Sequence, residues 1–350
     1  MNAADLKNDK YLTYIMEETQ KLLSIDSPTG YTKEVAEYVC RTYRKMGFEA
    51  NLTVKGGILA DLGGEDAENA ILLEAHVDTL GAMVTEVKKN GRLKLTPLGG
   101  LNPNNAEAEN CRVITRDGRK YEGTFQMENA SIHVNGEYDD TKRGYDAMEF
   151  VPDEKVSTKE ETINLGIMPG DIVAFEPRTR ITENGYIKSR FLDDKLSVGI
   201  LLGMAKYMKE KNSKPARRIY HHITVYEEVG HGACGTVPEG VTEILSVDMG
   251  CVGEGLGCSE RQVSICAKDS RGPYSYDVVG ALIEAAKKAK VDFAVDVYPH
   301  YGSDADAALS AGYDVRHGLI GAGVYASHGY ERSHIDGVKN TFDLLKAYLL

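Results

Sequence analysis

Apolar residues recur at helical spacing near the start of the chain, where Leu12, Ile15, Met16, Thr19, Leu22 and Leu23 share one face of a 3.6-residue period. Ser27-Pro28-Thr29-Gly30 interrupts that pattern. A second amphipathic segment carrying Val35, Val39, Tyr43 and Met46 closes at Gly47, a residue suited to the turn that ends a helix. Further on, the pattern changes to short continuous apolar runs: Ile71-Leu72-Leu73, Ile219 to Val225, Ile244-Leu245 with Val247, and Leu319-Ile320. Turn residues bound these runs and helical patterns separate them. One such helix carries Ser197, Ile200, Leu201, Met204 and Met208, and the last carries Val338, Phe342, Leu345 and Leu349. Buried strands alternating with amphipathic helices predict an α/β fold, a sheet with helices on both faces.

The interval from 85 to 187 departs from this. It holds short alternating segments, such as Arg92-Leu93-Lys94-Leu95-Thr96 and Asp171-Ile172-Val173-Ala174-Phe175, with Gly, Asn and Asp between them and no long amphipathic helix. A stretch of about 100 residues is enough for a small β domain. The expected organisation is therefore one α/β domain formed by 1–84 with 188–350, and a β domain inserted at 85–187.

Composition narrows the function. The chain has 350 residues, 42% of them hydrophobic and 27% charged, and a net charge of −12. That is ordinary globular composition without the basic footprint of a nucleic-acid binder. No apolar run approaches the ~18 residues of a membrane span, and Met1-Asn2-Ala3-Ala4-Asp5 lacks the pattern of a signal peptide. The six cysteines form no C-x-x-C pair, which argues against thiolate zinc and a disulfide framework. The expectation is a reduced, cytoplasmic protein with neither nucleic acid nor membrane as partner.

Four clusters of metal-type ligands sit beside the apolar runs. His76-Val77-Asp78 follows the first, Asp193-Asp194 opens the helix after the insert, Glu227-Glu228 follows the second run, and Asp248 follows the third. In an open α/β sheet the carboxyl ends of the strands share one crevice, so the four would converge. Alone, each has an ordinary reading as a hydrogen-bonded pair, a helix cap or a solvated edge; together they require four coincidences at the same kind of position. Imidazole and carboxylate without thiolate suit Zn²⁺, Co²⁺ or Mn²⁺. Two such ions need a bridging carboxylate and can jointly activate a water, and adjacent glutamates can divide the work between ligand and general base.

These residues resemble the co-catalytic zinc aminopeptidases, and most closely peptidase family forty-two, which contains tetrahedral, glutamyl and deblocking aminopeptidases. The resemblance rests on Ala75-His76-Val77-Asp78-Thr79-Leu80-Gly81, Leu192-Asp193-Asp194-Lys195, Glu227-Glu228-Val229-Gly230-His231-Gly232-Ala233 and Tyr301-Gly302-Ser303-Asp304-Ala305, in that order. It implies a zinc-peptidase-like mixed sheet with an inserted small β-barrel domain. It further implies two divalent ions, Zn or Co with Mn as a third option. His76 and Asp248 would hold one ion, Glu228 and a late histidine the other, and Asp193 would bridge them. Glu227 would be the general base. Asp78 would accept from the free ring N–H of His76, and Asp194 would adjoin a non-proline cis peptide. Lys195 stands where the family usually has arginine. The late histidine is His328 or His334; His328 aligns better, because it follows the Leu319-Ile320 strand and places Glu331 near the family's glutamate. The run from Ser327 to His334 also resembles a subgroup linked to operons for a small dipeptide osmoprotectant, which fixes no substrate.

The implied activity is removal of N-terminal residues from peptides by a homo-oligomer, a dodecamer or a dimer. The alternative is a dinuclear-metal amidohydrolase acting on a small acylated amino acid or dipeptide. A retired, non-catalytic copy of the fold would have lost a ligand or the base, and none is missing. A cellulase reading fails because adjacent glutamates at one strand end are poorly placed to flank a sugar. His133 on the insert, with Arg190, Arg271 and Arg332, are candidates for substrate contact, a solvated surface position being the default for each.

Overall fold

The computed structural model describes residue 6 and residues 8–350. Helix α1 (Lys10–Leu23) starts where the Asp9 carboxylate accepts from the main-chain N–H groups of Tyr11 and Leu12, and it buries the apolar face expected for it. Helix α2 (Lys33–Lys45) buries Val35, Val39 and Tyr43. Strands β1 (Glu49–Leu52), β2 (Ile58–Gly63) and β3 (Asp66–His76) follow.

Six strands then close into a barrel: β4 (Gly81–Val87), β5 (Leu93–Leu98), β6 (Glu109–Ile114), β7 (Lys120–Met127), β8 (Met148–Pro152) and β9 (Ile172–Phe175), in the order β4-β5-β8-β7-β6-β9. Leu93, Leu95, Cys111, Val113, Phe125, Phe150 and Phe175 are buried, and the rings of Phe125 and Phe175 meet edge-on at 5.6 Å. The segment holds one short helix, α3 (Lys159–Asn164), closed by a Thr158–Glu161 capping box. Gly81 lets the chain enter the barrel directly from the end of β3: a Cβ there would lie 2.7 Å from Pro28 Cβ.

After the barrel come β10 (Arg180–Ile181) and β11 (Tyr186–Ser189), then α4 (Leu192–Lys211), β12 (Arg217–Thr224), β13 (Val241–Val247), β14 (Gly250–Val252) and β15 (Val263–Lys268). The chain ends with α5 (Tyr276–Ala289), β16 (Phe293–Val297), α6 (Asp304–Ser310), β17 (Arg316–Tyr325), β18 (Glu331–His334) and α7 (Ile335–Leu349). The large sheet has twelve strands: nine follow the path β1-β2-β12-β3-β13-β17-β18-β11-β10, β14 and β15 pair with β17, and β16 pairs with β15. It is mixed: β12, β3, β13 and β17 run parallel, whereas β2 is antiparallel to β12 and β15 is antiparallel to β17. The β10–β11 hairpin extends this sheet through β18 instead of joining the barrel.

Side chains alternate across the sheet. Ile71 and Leu73 of β3 join the core that contains Leu196, Ile200 and Met204 of α4, whereas Leu72 packs with Ala305 and Ala308 of α6, so the two helices cover opposite faces. Helix α4 is buried along most of its length and crosses α1 through two glycines. A Cβ at Gly203 would stand 2.3 Å from Ile15 Cγ1, and one at Gly199 would stand 2.2 Å from Thr19 Oγ1. Gly203→Val is therefore expected to destabilise the fold by about 1–3 kcal/mol through overpacking. A lowered urea midpoint would register it, and an unchanged midpoint would mean that the two helices part freely.

Candidate metal centre

The register of the parallel strands brings their carboxyl ends into line: Thr224 of β12 lies opposite His76 of β3, and Val247 of β13 opposite Ile320 of β17. His76 ends β3, Glu227 and Glu228 form a turn of 3₁₀ helix after β12, and Asp248 follows β13. His328 sits in the turn between β17 and β18 with φ of +60°. Asp193 and Asp194 stand at the head of α4, but their backbone angles are not helical, and the peptide between them is cis.

Two triads result. Ligand atoms of His76, Asp193 and Asp248 lie within 4.8 Å of one another, and so do those of Asp193, Glu228 and His328. Asp193 is common to both. Its Oδ1 is 3.1 Å from His76 Nε2 and its Oδ2 is 3.5 Å from His328 Nε2, so its two oxygens face different imidazoles. Glu228 Oε2 is 3.6 Å from His328 Nε2, and Glu227 Oε2 is 3.6 Å from His76 Nε2. Asp193, Glu227, Glu228, Asp248 and His328 edge a cleft of about 560 Å³ whose other walls include Met249, Arg271, His300, Tyr301 and Asp306.

The donor set fits divalent cations. His76 Nδ1 lies 2.9 Å from the main-chain carbonyl of Asp78. A carbonyl only accepts, so Nδ1 carries a hydrogen; with a cation bound, Nε2 would give up its own hydrogen and present a lone pair to the centre. The buried Oε1 of Glu228 has no hydrogen-bond partner, as expected of a ligand oxygen. Burial pushes the Glu227 and Glu228 carboxyls well above their usual range, and burial beside charged Asp193 pushes Asp248 up to about 7. Burial opposes ionisation of Asp193 too, but the hydrogen bonds from His328 and His76 outweigh it and hold that carboxyl below its usual range. Five carboxylates around two imidazoles leave an excess of negative charge that two divalent ions would offset.

Other side chains hold this arrangement. The Asp78 carboxylate is 3.6 Å from His76 Nδ1, farther than the carbonyl of the same residue, and is otherwise engaged: it accepts from the Thr29 hydroxyl at 2.7 Å and from the Glu227 main-chain N–H at 3.2 Å. The ring of His76 is thus fixed by the backbone of Asp78, while the carboxylate fixes the Glu227 turn. Asp194 Oδ2 accepts from the His76 main-chain N–H at 3.2 Å. Glu331, unassigned in sequence reasoning beyond its alignment, spans the second triad: its two oxygens accept from the main-chain N–H groups of Asp193 at 3.1 Å and His328 at 3.0 Å. Asp304 accepts from the Thr224 hydroxyl and the Ala233 N–H. Lys55, which the sequence did not single out, donates to the carbonyls of His231 and Gly232 at 2.6 Å and of Cys234 at 3.2 Å, pinning the loop that follows the glutamates. Lys195 is buried with Nζ on the Ile25 carbonyl at 2.7 Å, and burial brings its pKa down to about 7.

His334 lies outside both triads. It is buried at the start of α7, where Nδ1 accepts from the Asp336 N–H at 3.0 Å and Nε2 donates to the Asn184 carbonyl at 2.7 Å. His133 is exposed in a turn of the barrel segment. Arg190 is not solvated, as its default reading had it: it is buried and paired with Glu109. Arg332 pairs with Glu260 at 3.1 Å and stacks on Tyr186. Arg271 lines the cleft, and among the described residues no acidic side chain pairs with its guanidinium.

The whole arrangement, sheet and barrel together, is an aminopeptidase fold. An aminopeptidase from the archaeon Desulfurococcus kamchatkensis superposes with a TM-score of 0.86 over 97% of this chain and 95% of its own, at 22% identity. The Pyrococcus horikoshii TET1 peptidase, which can assemble into a tetrahedron or a large octahedral shell, superposes with a TM-score of 0.84 over 96% of this chain and 99% of its own, also at 22% identity. In sequence, the Bacillus subtilis protein YhfE, provisionally named an aminopeptidase, is 42% identical over 334 residues, covering 95% of this chain and 96% of its own. The lysyl aminopeptidase of Pyrococcus furiosus is 26% identical over 216 residues, covering 61% of this chain and 60% of its own. The model of the M42 glutamyl aminopeptidases matches residues 56–344, and the chain belongs to that peptidase family.

Proposed function

We infer that this aminopeptidase is metal-dependent and removes N-terminal residues from peptides through a dinuclear site. His76 and Asp248 would hold one divalent ion and Glu228 and His328 the other, with Asp193 common to both sets. The observation that carries this reading is Asp193, whose two carboxylate oxygens face two different histidines. Zn²⁺ or Co²⁺ suits the donors best, with Mn²⁺ as a third option. When bound, such ions polarise the scissile carbonyl and acidify a water.

The chain's own groups do the rest. Glu227 stands beside the centre without belonging to either triad, and it takes the proton of the attacking water and passes it to the departing amine. Asp78, holding the Glu227 N–H, fixes where that carboxylate stands. Glu331 and Asp194 hold the main chain of the ligating residues. The same reading assigns 1–84 and 188–350 to catalysis, and 85–187 to assembly and control of access. It places the protein in the cytoplasm as a homo-oligomer, a dodecamer or a dimer. Assembly of the TET1 peptidase into closed shells supports the oligomer. Among the described residues no helix is long and apolar enough to cross a membrane.

Chelation is expected to abolish hydrolysis of aminoacyl chromogenic substrates, and Co²⁺, Zn²⁺ or Mn²⁺ to restore it; chelator-resistant turnover would refute metal dependence. The reconstituted protein is then offered free-amine substrates beside N-acetylated amino acids. Hydrolysis of the free amines alone fits the aminopeptidase reading. Hydrolysis of the blocked compounds alone would move the protein to the amidohydrolase alternative.

A further inference from the structure

The two triads differ in what surrounds them. His76 and Asp248 are held within the large sheet and its loops: the His76 ring by the Asp78 carbonyl, and Asp248 by the Ile320 carbonyl, which accepts its N–H at 3.0 Å, and by the Met249 N–H. Glu228 and His328 instead touch the barrel, on the loop between β5 and β6. A Cβ at Gly99 would lie 3.3 Å from Glu228 Cβ, and one at Gly100 would lie 2.7 Å from His328 Nδ1. On the same loop, Asn105 Nδ2 donates to the His328 main-chain carbonyl at 3.1 Å.

The loop has an anchor of its own. Arg190, just before α4, donates from Nη2 to the Asn105 carbonyl at 2.6 Å and from Nη1 to the Glu176 carbonyl at 3.3 Å, and it is paired with buried Glu109. Arg178 also pairs with Glu109, at 2.8 Å, and its carbonyl accepts from the Tyr330 hydroxyl at 2.8 Å. The turn carrying His328 is thereby tied to the barrel from two sides. His328 needs such support, because its side chain is 41% exposed while those of His76, Asp193 and Glu228 are 1%, 8% and 4% exposed.

We propose that Asn105, anchored by Arg190, is a positioning residue for His328, so that the barrel sets how firmly the Glu228–His328 position keeps its ion while the His76–Asp248 position is independent of it. The proposal rests on the dinuclear reading above. Partners that orient a ligand are worth about 10–100-fold in metal affinity, and for one hydrogen bond to the ligand's main chain the lower figure applies.

Calorimetric titration of metal-free protein with Zn²⁺ tests it, with the absorption of bound Co²⁺ as a second readout. The wild type is expected to take up two ions. Asn105→Ala is expected to bind the first as the wild type does and the second about tenfold more weakly, with the Co²⁺ spectrum of that second ion altered. Arg190→Gln should act in the same direction. Asn105 is exposed, so its truncation leaves the core intact even if the buried arginine variant fails to fold. Two ions bound by Asn105→Ala with wild-type affinities would overturn the positioning role alone. Equal weakening of both ions would overturn it too, since the effect would then be general loosening. A wild type that binds fewer than two ions would overturn the dinuclear reading, and the proposal with it.

Discussion

Glu227→Gln is expected to lower kcat by about 10²–10⁴-fold, the usual worth of a positioned general base, while both metal ions stay bound. Glutamine keeps the shape and the main-chain N–H that the Asp78 carboxylate accepts at 3.2 Å, so the turn carrying it should not move. What it loses is the ability to take a proton. Glu227 is suited to that task by its surroundings: burial disfavours its ionised form, with Asp248, Asp304 and Glu228 adding like charge, and it lines the cleft. Its Oε2 is 3.6 Å from His76 Nε2, yet it belongs to neither triad. The check pairs steady-state kinetics with metal content by mass spectrometry. Near-normal turnover with both ions present would remove Glu227 as the base; loss of an ion would make it a ligand.

The second large effect separates two histidines six positions apart in the chain. His328→Ala is expected to leave one ion per chain instead of two, with activity falling by orders of magnitude, because imidazole supplies the one nitrogen donor of its triad. His334→Ala should keep both ions and lower stability instead. Both ring nitrogens of His334 are committed, one to the start of α7 and the other to the Asn184 carbonyl, and losing a helix cap costs about 0.5–2 kcal/mol. If His334→Ala alone costs an ion, the assignment is reversed.

Much of the centre was legible because strand ends announce themselves: an apolar run stops and a ligand follows. His76, Glu228 and Asp248 all stand after such a run, and parallel register brings them together. Helices α1 and α7 were equally plain, since their apolar faces are long and periodic. What local pattern does not carry is direction and partnership. Both the carbonyl and the carboxylate of Asp78 are within reach of His76, and the loop geometry, unreadable from residue types, chooses the carbonyl. Arg190 looked like any surface arginine because Glu109, its partner, is 81 positions away. Lys55 stands in a Gly-rich hairpin with nothing nearby in sequence to mark it, and its three carbonyl acceptors lie about 180 positions later. The β10–β11 hairpin falls within the stretch read as the insert but pairs with β18, a choice made by an edge formed at the far end of the chain.

The place of β3 in the sheet orders events during synthesis. Its neighbours on either side are β12 and β13: Leu72 pairs with Tyr220 and with Ile244. The strand that carries His76 therefore leaves the ribosome well before the strands that will flank it, and the barrel, whose strands run without interruption from Gly81 to Phe175, is complete in between. Local closure precedes distant pairing because the entropy of joining remote segments must be overcome first. A chain in which the barrel closed first would leave both edges of β3 open, the kind of edge that invites association with other chains. In the order of the chain, the apolar stretch Ala70–Ala75 waits for both of its sheet partners until β13 has been made.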